Sequence, residues 1–182
     1  TILTQLEPHI THHKLRVILL GGEFIAMALI DACEKKSLPI FKTYGMTETF
    51  SQSVTFSVLD YPDKRESVGK PLPGMQVRID NPDEDGVGEI HLTGPMVMTG
   101  YINKEPIDGD FNTDDIGYID EDGFVYILNR RKDLIISGGE NIYPKELEDL
   151  VYTLPSVKEC AVVPVPDAPC GQVPALFVAL HD

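Results

Sequence analysis

Along the first sixty positions the apolar residues change their period three times. Leu15-Arg16-Val17-Ile18-Leu19-Leu20 is almost continuously apolar, the pattern of a buried strand. Gly21-Gly22-Glu23 ends it. From Phe24 to Lys36 the apolar positions Phe24, Met27, Ala28, Leu29 and Ile30 take helical spacing, and the run closes on Glu34-Lys35-Lys36. Pro39-Ile40-Phe41-Lys42 is extended again. Strand, helix and strand in this order predict a βαβ unit, with a parallel sheet and a right-handed crossover. Gln52-Ser53-Val54-Thr55-Phe56 predicts a third short strand.

Past Ser67 the texture changes. Val68 to Gly74, Gln76 to Ile79 and Asp83-Glu84-Asp85-Gly86 are short segments punctuated by glycine and proline. Gly88-Glu89-Ile90-His91-Leu92 alternates, and Phe124 to Leu128 is a further strand. No helix of length fits, so a small antiparallel barrel or meander is expected. Asn129-Arg130-Arg131-Lys132-Asp133 is a charged break that reads as a hinge. Leu134-Ile135-Ile136, a glycine loop at Ser137-Gly138-Gly139-Glu140-Asn141, a helix from Lys145 to Tyr152 opened by Pro144, and strands Val157–Val165 and Val173–Leu180 follow. The expected fold class is α/β plus a β-rich subdomain, ending in the start of a small α+β domain. The expected boundaries are 1–66, 67–129, a hinge at 130–133, and 134–182.

Composition narrows the function classes. The net charge of −14 argues against non-specific binding to nucleic acid or an anionic membrane. It does not argue against a small anion held by backbone amides. No apolar run reaches membrane-spanning length, so no membrane insertion is expected. The three cysteines have no metal-binding spacing and read as reduced, buried cytoplasmic thiols. The chain opens without a methionine or a signal-peptide pattern, which suggests a fragment.

The densest chemistry lies in Thr43-Tyr44-Gly45-Met46-Thr47-Glu48-Thr49. Tyr44 offers a ring on which a purine can stack. Gly45 lets a ligand approach the backbone. Thr47 can donate to a phosphate oxygen, and Glu48 can hold a magnesium ion that a phosphate shares. A polar turn with Tyr44 half buried is the plain alternative. In parallel sheets ligands bind beyond the carboxyl ends of the strands. The Gly21-Gly22-Glu23 turn and the Tyr44 loop both sit at such ends, although Gly21-Gly22 is equally compatible with a simple tight turn.

Four ordered segments carry a resemblance. They are Tyr44-Gly45-Met46-Thr47-Glu48; Gly88-Glu89 through Gly94 to Gly100-Tyr101; Phe111-Asn112-Thr113-Asp114-Asp115; and Arg130-Arg131-Lys132-Asp133-Leu134-Ile135 with Gly138-Gly139-Glu140-Asn141-Ile142-Tyr143-Pro144. Together they resemble the adenylate-forming acyl-CoA ligases. The continuation Thr49-Phe50-Ser51-Gln52 and the run Ile136 to Pro144 are most similar to the o-succinylbenzoate–CoA ligases of menaquinone synthesis. The resemblance implies ATP, Mg2+ and CoA, a small carboxylic acid as substrate, and a large adenylating domain followed by a mobile small one. Self-association into a homo-oligomer is left open.

It also implies roles. Tyr44 stacks on adenine, with Gly21, Gly22 and Glu23 on the other face and Thr43 and Met46 framing the loop. Thr47 contacts phosphate and Glu48 holds Mg2+. Asp115 accepts the ribose hydroxyls, an acceptor suited to a cis-diol, and Arg130 reaches the same sugar. Lys132 resembles the residue about which the small domain turns. Ser137, Gly138 and Gly139 line the path of CoA with amides. Thr49, Ser51, Gln52 and Ser67 lie toward the acid, where hydroxyls and an amide suit a second carboxylate better than an alkyl tail. Asp114 and Asn129 stand where the family commonly has glycine, and both residue types tolerate positive φ. The family's phosphate loop and its late lysine are missing from these residues, so an interior fragment, inactive alone, is expected. The alternatives are a fatty-acyl or aryl ligase of the same superfamily and a non-catalytic nucleotide-binding module.

Overall fold

The computed structural model describes residues 2–22, 25–130 and 133–181. They divide into two compact units. One holds residues 1–79, 91–112 and 119–126, the other 80–90, 113–118 and 127–182.

In the first unit, β1 (Ile18–Leu20) and β2 (Ile40–Tyr44) pair in parallel, Leu20 opposite Lys42, with α2 (Met27–Lys35) between them in sequence. The βαβ expectation is met. A short helix not expected from the sequence, α1 (Ile2–Leu6), precedes them. Helix α2 buries Leu29, Ile30 and Cys33, a spacing that puts all three on one face. It stops where Ser37 takes φ 52° and the Leu38 amide donates to the Cys33 carbonyl, a left-handed cap of Schellman type. Leu38 then enters the core fully buried. The expected buried strand from Leu15 begins only at Ile18, and Leu15 and Val17, like Leu19 within the strand, are exposed.

β3 (Val54–Ser57) adds antiparallel to β2, and β4 (Lys70–Pro71) adds antiparallel to β3, giving the order β1-β2-β3-β4. Leu20, Ile30, Leu38, Ile40, Phe56, Val58 and Phe124 form the core. Phe124 meets the rings of Phe56 and Tyr61 edge-on, at 5.6 and 5.2 Å between centroids, and Lys70 Nζ lies 4.5 Å from its centre. Burying a ring of this size stabilises by roughly 1.5–3 kcal/mol.

The β-rich stretch is an open sheet in chain order: β5 (Gln76–Asp80), β6 (Gly88–Thr93), β7 (Asp110–Ile119) and β8 (Val125–Arg130). It is the meander alternative, and among the described residues it does not close into a barrel. β7 was not expected, because Asp110-Phe111-Asn112-Thr113-Asp114-Asp115 is too polar to read as a strand. Its residues have members in both units.

In the second unit β9 (Ile135–Ser137), β10 (Glu140–Ile142), β11 (Val157–Asp167) and β12 (Gly171–Leu180) form a sheet of order β10-β9-β12-β11. Helix α3 (Pro144–Val151) has proline at its first turn, as expected. It is tied to β11 by Glu148, whose carboxylate accepts the Val162 amide at 2.8 Å, and by the Tyr152 hydroxyl, which accepts the Cys160 amide at 3.3 Å. No described helix is long and apolar enough to cross a membrane.

Candidate functional site

The parallel pairing of β1 and β2 sets their following loops side by side. A Cβ on Gly21 would strike the Thr43 hydroxyl and carbonyl, so only glycine lets the first loop close on the second. Gly22 has φ 89° and open space around it. Gly21 and Thr43 are therefore brought together, with Gly22 and Tyr44 the next residues along the two loops. Glu23 lies outside the described residues.

After Tyr44 the chain makes a tight, self-bonded loop. The Met46 carbonyl accepts the amides of Thr49 at 3.0 Å and Ser51 at 3.2 Å. The Thr49 hydroxyl accepts the Met46 amide at 3.2 Å and donates back to the Met46 carbonyl at 3.3 Å. Phe50 and Ser51 carry φ 59° and 92°, which turn the chain back so that the Ser53 amide reaches the Tyr44 carbonyl at 2.9 Å. A Cβ at Gly45 would fall on the Ser51 carbonyl oxygen, and within 2.7 Å of the Gln52 Cα. The close approach that Gly45 permits is thus made by the chain's own backbone rather than by a ligand.

This folding decides which side chains face outward. Thr47 is exposed and Glu48 half-buried. Phe50, 87% exposed, projects freely. These three line a cleft of about 320 Å³ with Pro95, Met96, Val97, Met98 and Thr99. The Met98 amide donates to the Glu48 carbonyl at 2.8 Å, and the Tyr101 hydroxyl donates to Glu48 Oε1 at 2.7 Å. The Glu48 carboxylate and the exposed Thr47 thus belong to the lining of one cleft. Hard oxygen donors of this kind suit Mg2+, which takes one or two carboxylates and completes its shell with water and phosphate.

Two residues expected at the acid are engaged elsewhere. Thr49 is fully buried and closes its own loop, as described. Ser67 is also fully buried. Its hydroxyl donates to the Val125 carbonyl and accepts the Gly69 amide, both at 2.8 Å. Both hydroxyls hold turns and offer no exposed face. Ser51 is exposed and Gln52 half-buried.

In the second unit Asp115 and Arg130 come together. Asp115 sits on β7, 3% exposed, and Arg130 ends β8; Arg130 Nε lies 3.2 Å from Asp115 Oδ1. The strand is pinned locally. The Thr113 hydroxyl donates to the Ile90 carbonyl at 2.9 Å and accepts the Asp115 amide at 3.1 Å. Asp114 has φ 59°, the left-handed value expected where the family has glycine. Asn129 does not share it: it lies within β8, in ordinary extended backbone, because the strand continues through the expected break to Arg130. Lys132 lies outside the described residues.

Ser137, Gly138, Gly139 and Glu140 form a two-residue hairpin turn. Both glycines have positive φ, 59° and 93°, as a type I′ turn demands. The Gly138 amide donates to the Cys170 carbonyl at 2.9 Å, so one of the three amides expected to line the CoA path is already bonded within the chain.

Tyr101 and the 95–99 segment were not assigned a role from the sequence. The signal available was the pair Gly94 and Gly100 bracketing Pro95-Met96-Val97-Met98. Both glycines take φ 146°, which marks a loop built to a fixed shape.

Comparison with known proteins gives a consistent picture. The profile of the AMP-binding enzymes matches residues 2–102, and that of the AMP-binding enzyme C-terminal domain matches 146–182. The 2-succinylbenzoate–CoA ligase of Lactococcus lactis subsp. lactis (strain IL1403) is 61% identical over 179 residues, covering 98% of this chain and 40% of that protein. The enzyme of the same name from Bacillus cereus (strain ATCC 14579) is 47% identical over 178 residues, 91% of this chain and 36% of the relative. Among solved structures, the o-succinylbenzoate CoA synthetase of Bacillus subtilis with the acyl-adenylate intermediate OSB-AMP superposes with a TM-score of 0.90, at 40% identity. It covers 100% of this chain and 40% of that one. The same enzyme with ATP and magnesium gives 0.89 at 41% identity, over 99% and 40%. The chain thus spans about two fifths of the length of the relatives it matches.

Proposed function

The chain belongs to the AMP-binding enzymes, and on that premise we propose that the protein carrying it is an ATP-dependent acid–CoA ligase whose acid is o-succinylbenzoate. The observation that carries the reaction class is the cleft lined by Thr47 and Glu48, with one Glu48 oxygen held by the Tyr101 hydroxyl. The choice of acid rests on 61% identity to a ligase of that name.

In the first step a carboxylate oxygen of the acid attacks the α-phosphorus of ATP. A bond from that oxygen to phosphorus forms, the bond to the bridging oxygen breaks, and pyrophosphate leaves. In the second step the CoA sulfur, its proton lost to solvent, attacks the acyl carbon, and AMP leaves. Glu48 would hold the magnesium ion, which when bound would neutralise phosphate charge. Tyr44 stacks on adenine beside Gly21 and Gly22, and Thr47 donates to phosphate. Asp115, oriented by Arg130, accepts from the ribose diol. Ser51 and Gln52 face the acid, where Phe50 packs on its ring. Ser137 and Gly139 contribute polar groups toward CoA.

The domain scheme is part of the proposal. Residues 1–66 and 67–129 belong to the large adenylating domain, 134–182 to the small C-terminal one, and 130–133 form the hinge, with Lys132 at its pivot. Lys132→Pro in the full-length protein should then spare adenylate formation and abolish thioester formation, since proline fixes φ. The activity is assigned to the full-length, cytoplasmic protein of menaquinone synthesis; the 182 residues alone should give no ATP–pyrophosphate exchange.

The decisive measurement is kcat/KM for o-succinylbenzoate against octanoate with the full-length protein. A preference of at least about a hundredfold is expected, because a polar pocket left unpaired against an alkyl chain costs about 1–3 kcal/mol per buried group. Equal turnover would remove the acid from the proposal and leave the reaction class.

A further inference from the structure

We propose that Tyr101 is a positioning residue that aims the Glu48 carboxylate at magnesium, an inference that rests on the metal-binding reading of Glu48 above.

The phenol donates to one oxygen of Glu48, Oε1, at 2.7 Å. Glu48 stands in a three-residue 3-10 turn on a side chain with three rotatable bonds. Free in solvent, such a side chain samples many rotamers. Holding one oxygen fixes the direction in which the other points. Carboxylates that bind metals are commonly held in this way, and loss of the holding group costs about 10–100-fold in metal affinity.

The segment carrying Tyr101 is built to keep it there. The Val97 amide donates to the Gly94 carbonyl at 3.1 Å, and the Met98 amide to the Glu48 carbonyl at 2.8 Å. The Ile107 amide donates to the Thr99 carbonyl at 2.9 Å, and the Lys104 amide to the Tyr101 carbonyl at 3.1 Å. At Gly94 a Cβ would press within 2.6 Å of the Gly74 carbonyl oxygen, and at Gly100 within 3.3 Å of the Pro106 Cα. The Met98–Glu48 backbone bond sets the distance between the two segments, and the Tyr101 hydroxyl then meets the carboxylate. Tyr101 is 51% exposed, so its ring adds little to the core.

The test compares Tyr101→Phe, Glu48→Gln and the double variant of the full-length protein. Mn2+ binding is read by electron paramagnetic resonance in the presence of a non-hydrolysable ATP analogue. Tyr101→Phe should weaken Mn2+ binding about tenfold, while the analogue's affinity without metal and the melting temperature stay at wild-type values. In the Glu48→Gln background it should add less than about twofold, since the two residues act as one unit. The Mg2+ concentration giving half-maximal ATP–pyrophosphate exchange should rise in parallel. Wild-type Mn2+ affinity in Tyr101→Phe, with Glu48→Gln weakened, would overturn the positioning role and leave the reading of Glu48 intact. Wild-type affinity in Glu48→Gln would overturn both. Should the phenylalanine variant melt early, Tyr101→His, which retains a ring N–H, must recover at least part of the affinity; no recovery overturns the proposal.

Discussion

Glu48 and Asp115 are both assigned to the nucleotide, and the chain holds them in opposite ways. Glu48 stands in a loop, half-buried, with one oxygen bonded to a phenol at the lining of a cleft. Asp115 stands in the middle of a ten-residue strand, 3% exposed, with a guanidinium beside it. On the roles proposed above, the difference matches what each binds. A metal ion needs an oxygen it can reach together with its own waters, and a loop supplies that. A ribose diol needs an acceptor at a fixed place, and a strand pinned by the Thr113 hydroxyl supplies that. Loop placement exchanges rigidity for access, and the Tyr101 bond restores part of the rigidity.

The sharpest break in the comparison is Glu48→Gln in the full-length protein. The variant keeps the shape and removes the charge. A metal ion stabilises developing phosphate charge by several kcal/mol, so adenylate formation should fall by at least about a hundredfold, with the melting temperature unchanged. ATP–pyrophosphate exchange measures the first and calorimetry the second. An unchanged rate and Mg2+ dependence would make Glu48 structural.

Asp115→Asn should act differently. It removes a buried acceptor's charge and leaves Arg130 without its carboxylate partner. Hydrogen bonds to charged groups contribute about 1.5–3 kcal/mol, so KM for ATP should rise by about tenfold or more. Unlike Glu48→Gln, it should also lower stability, because a buried strand position is disturbed. Unaltered KM with lowered stability would reduce Asp115 to half of a structural ion pair.

How much of this contrast was legible in the sequence differs between the two regions. The loop was legible. An apolar, extended run that breaks at Tyr44-Gly45 announces a loop at the carboxyl end of a strand, and the βαβ pattern places Gly21-Gly22 beside it. The strand holding Asp115 was not. Asp110, Asn112, Asp114 and Asp115 suppress the apolar alternation on which strand recognition depends, and the residues that pin it, Thr113 and Ile90, are far apart in sequence. Thr49 and Ser67 were misread for a related reason. A hydroxyl's residue type says that it bonds, and only the fold says whether to a ligand or to a carbonyl. Asn129 was misread because a run of charge looks like a break even where β8 continues to Arg130.

Gly45→Ala tests the loop by its backbone alone. The added methyl meets the Ser51 carbonyl and the Gln52 Cα, neither of which can swing away. Overpacking against fixed atoms costs about 1–3 kcal/mol, read as a lower midpoint in denaturant. Exchange activity should fall with it, since the turn that presents Thr47 and Glu48 is the part displaced. A variant as stable as the parent would show that the 51–52 backbone is not held against Gly45.

The smallest expected effect lies next to Asp115. Asp114 has φ 59°, a conformation that costs an ordinary L-residue roughly 1–2 kcal/mol. Aspartate bears less of that cost than most, because its short polar side chain tolerates the left-handed region. Asp114→Gly relieves the remaining strain, and it also gives the unfolded chain more freedom, worth about 0.4–1 kcal/mol in the other direction. The two terms oppose each other, so the net change should stay within about 1 kcal/mol. Asp114→Ala has neither glycine's freedom nor aspartate's tolerance. It should therefore destabilise by roughly 1–2 kcal/mol. Because the strained residue is bonded directly to Asp115, the same variant should raise KM for ATP while Asp114→Gly leaves it near the parent value. Equilibrium unfolding and ATP titration on the three proteins decide the matter. If Asp114→Ala matches Asp114→Gly in both measurements, the left-handed turn is not what sets the Asp115 carboxylate in place. The rigidity attributed to the strand would then have to come from Thr113 and Arg130 alone.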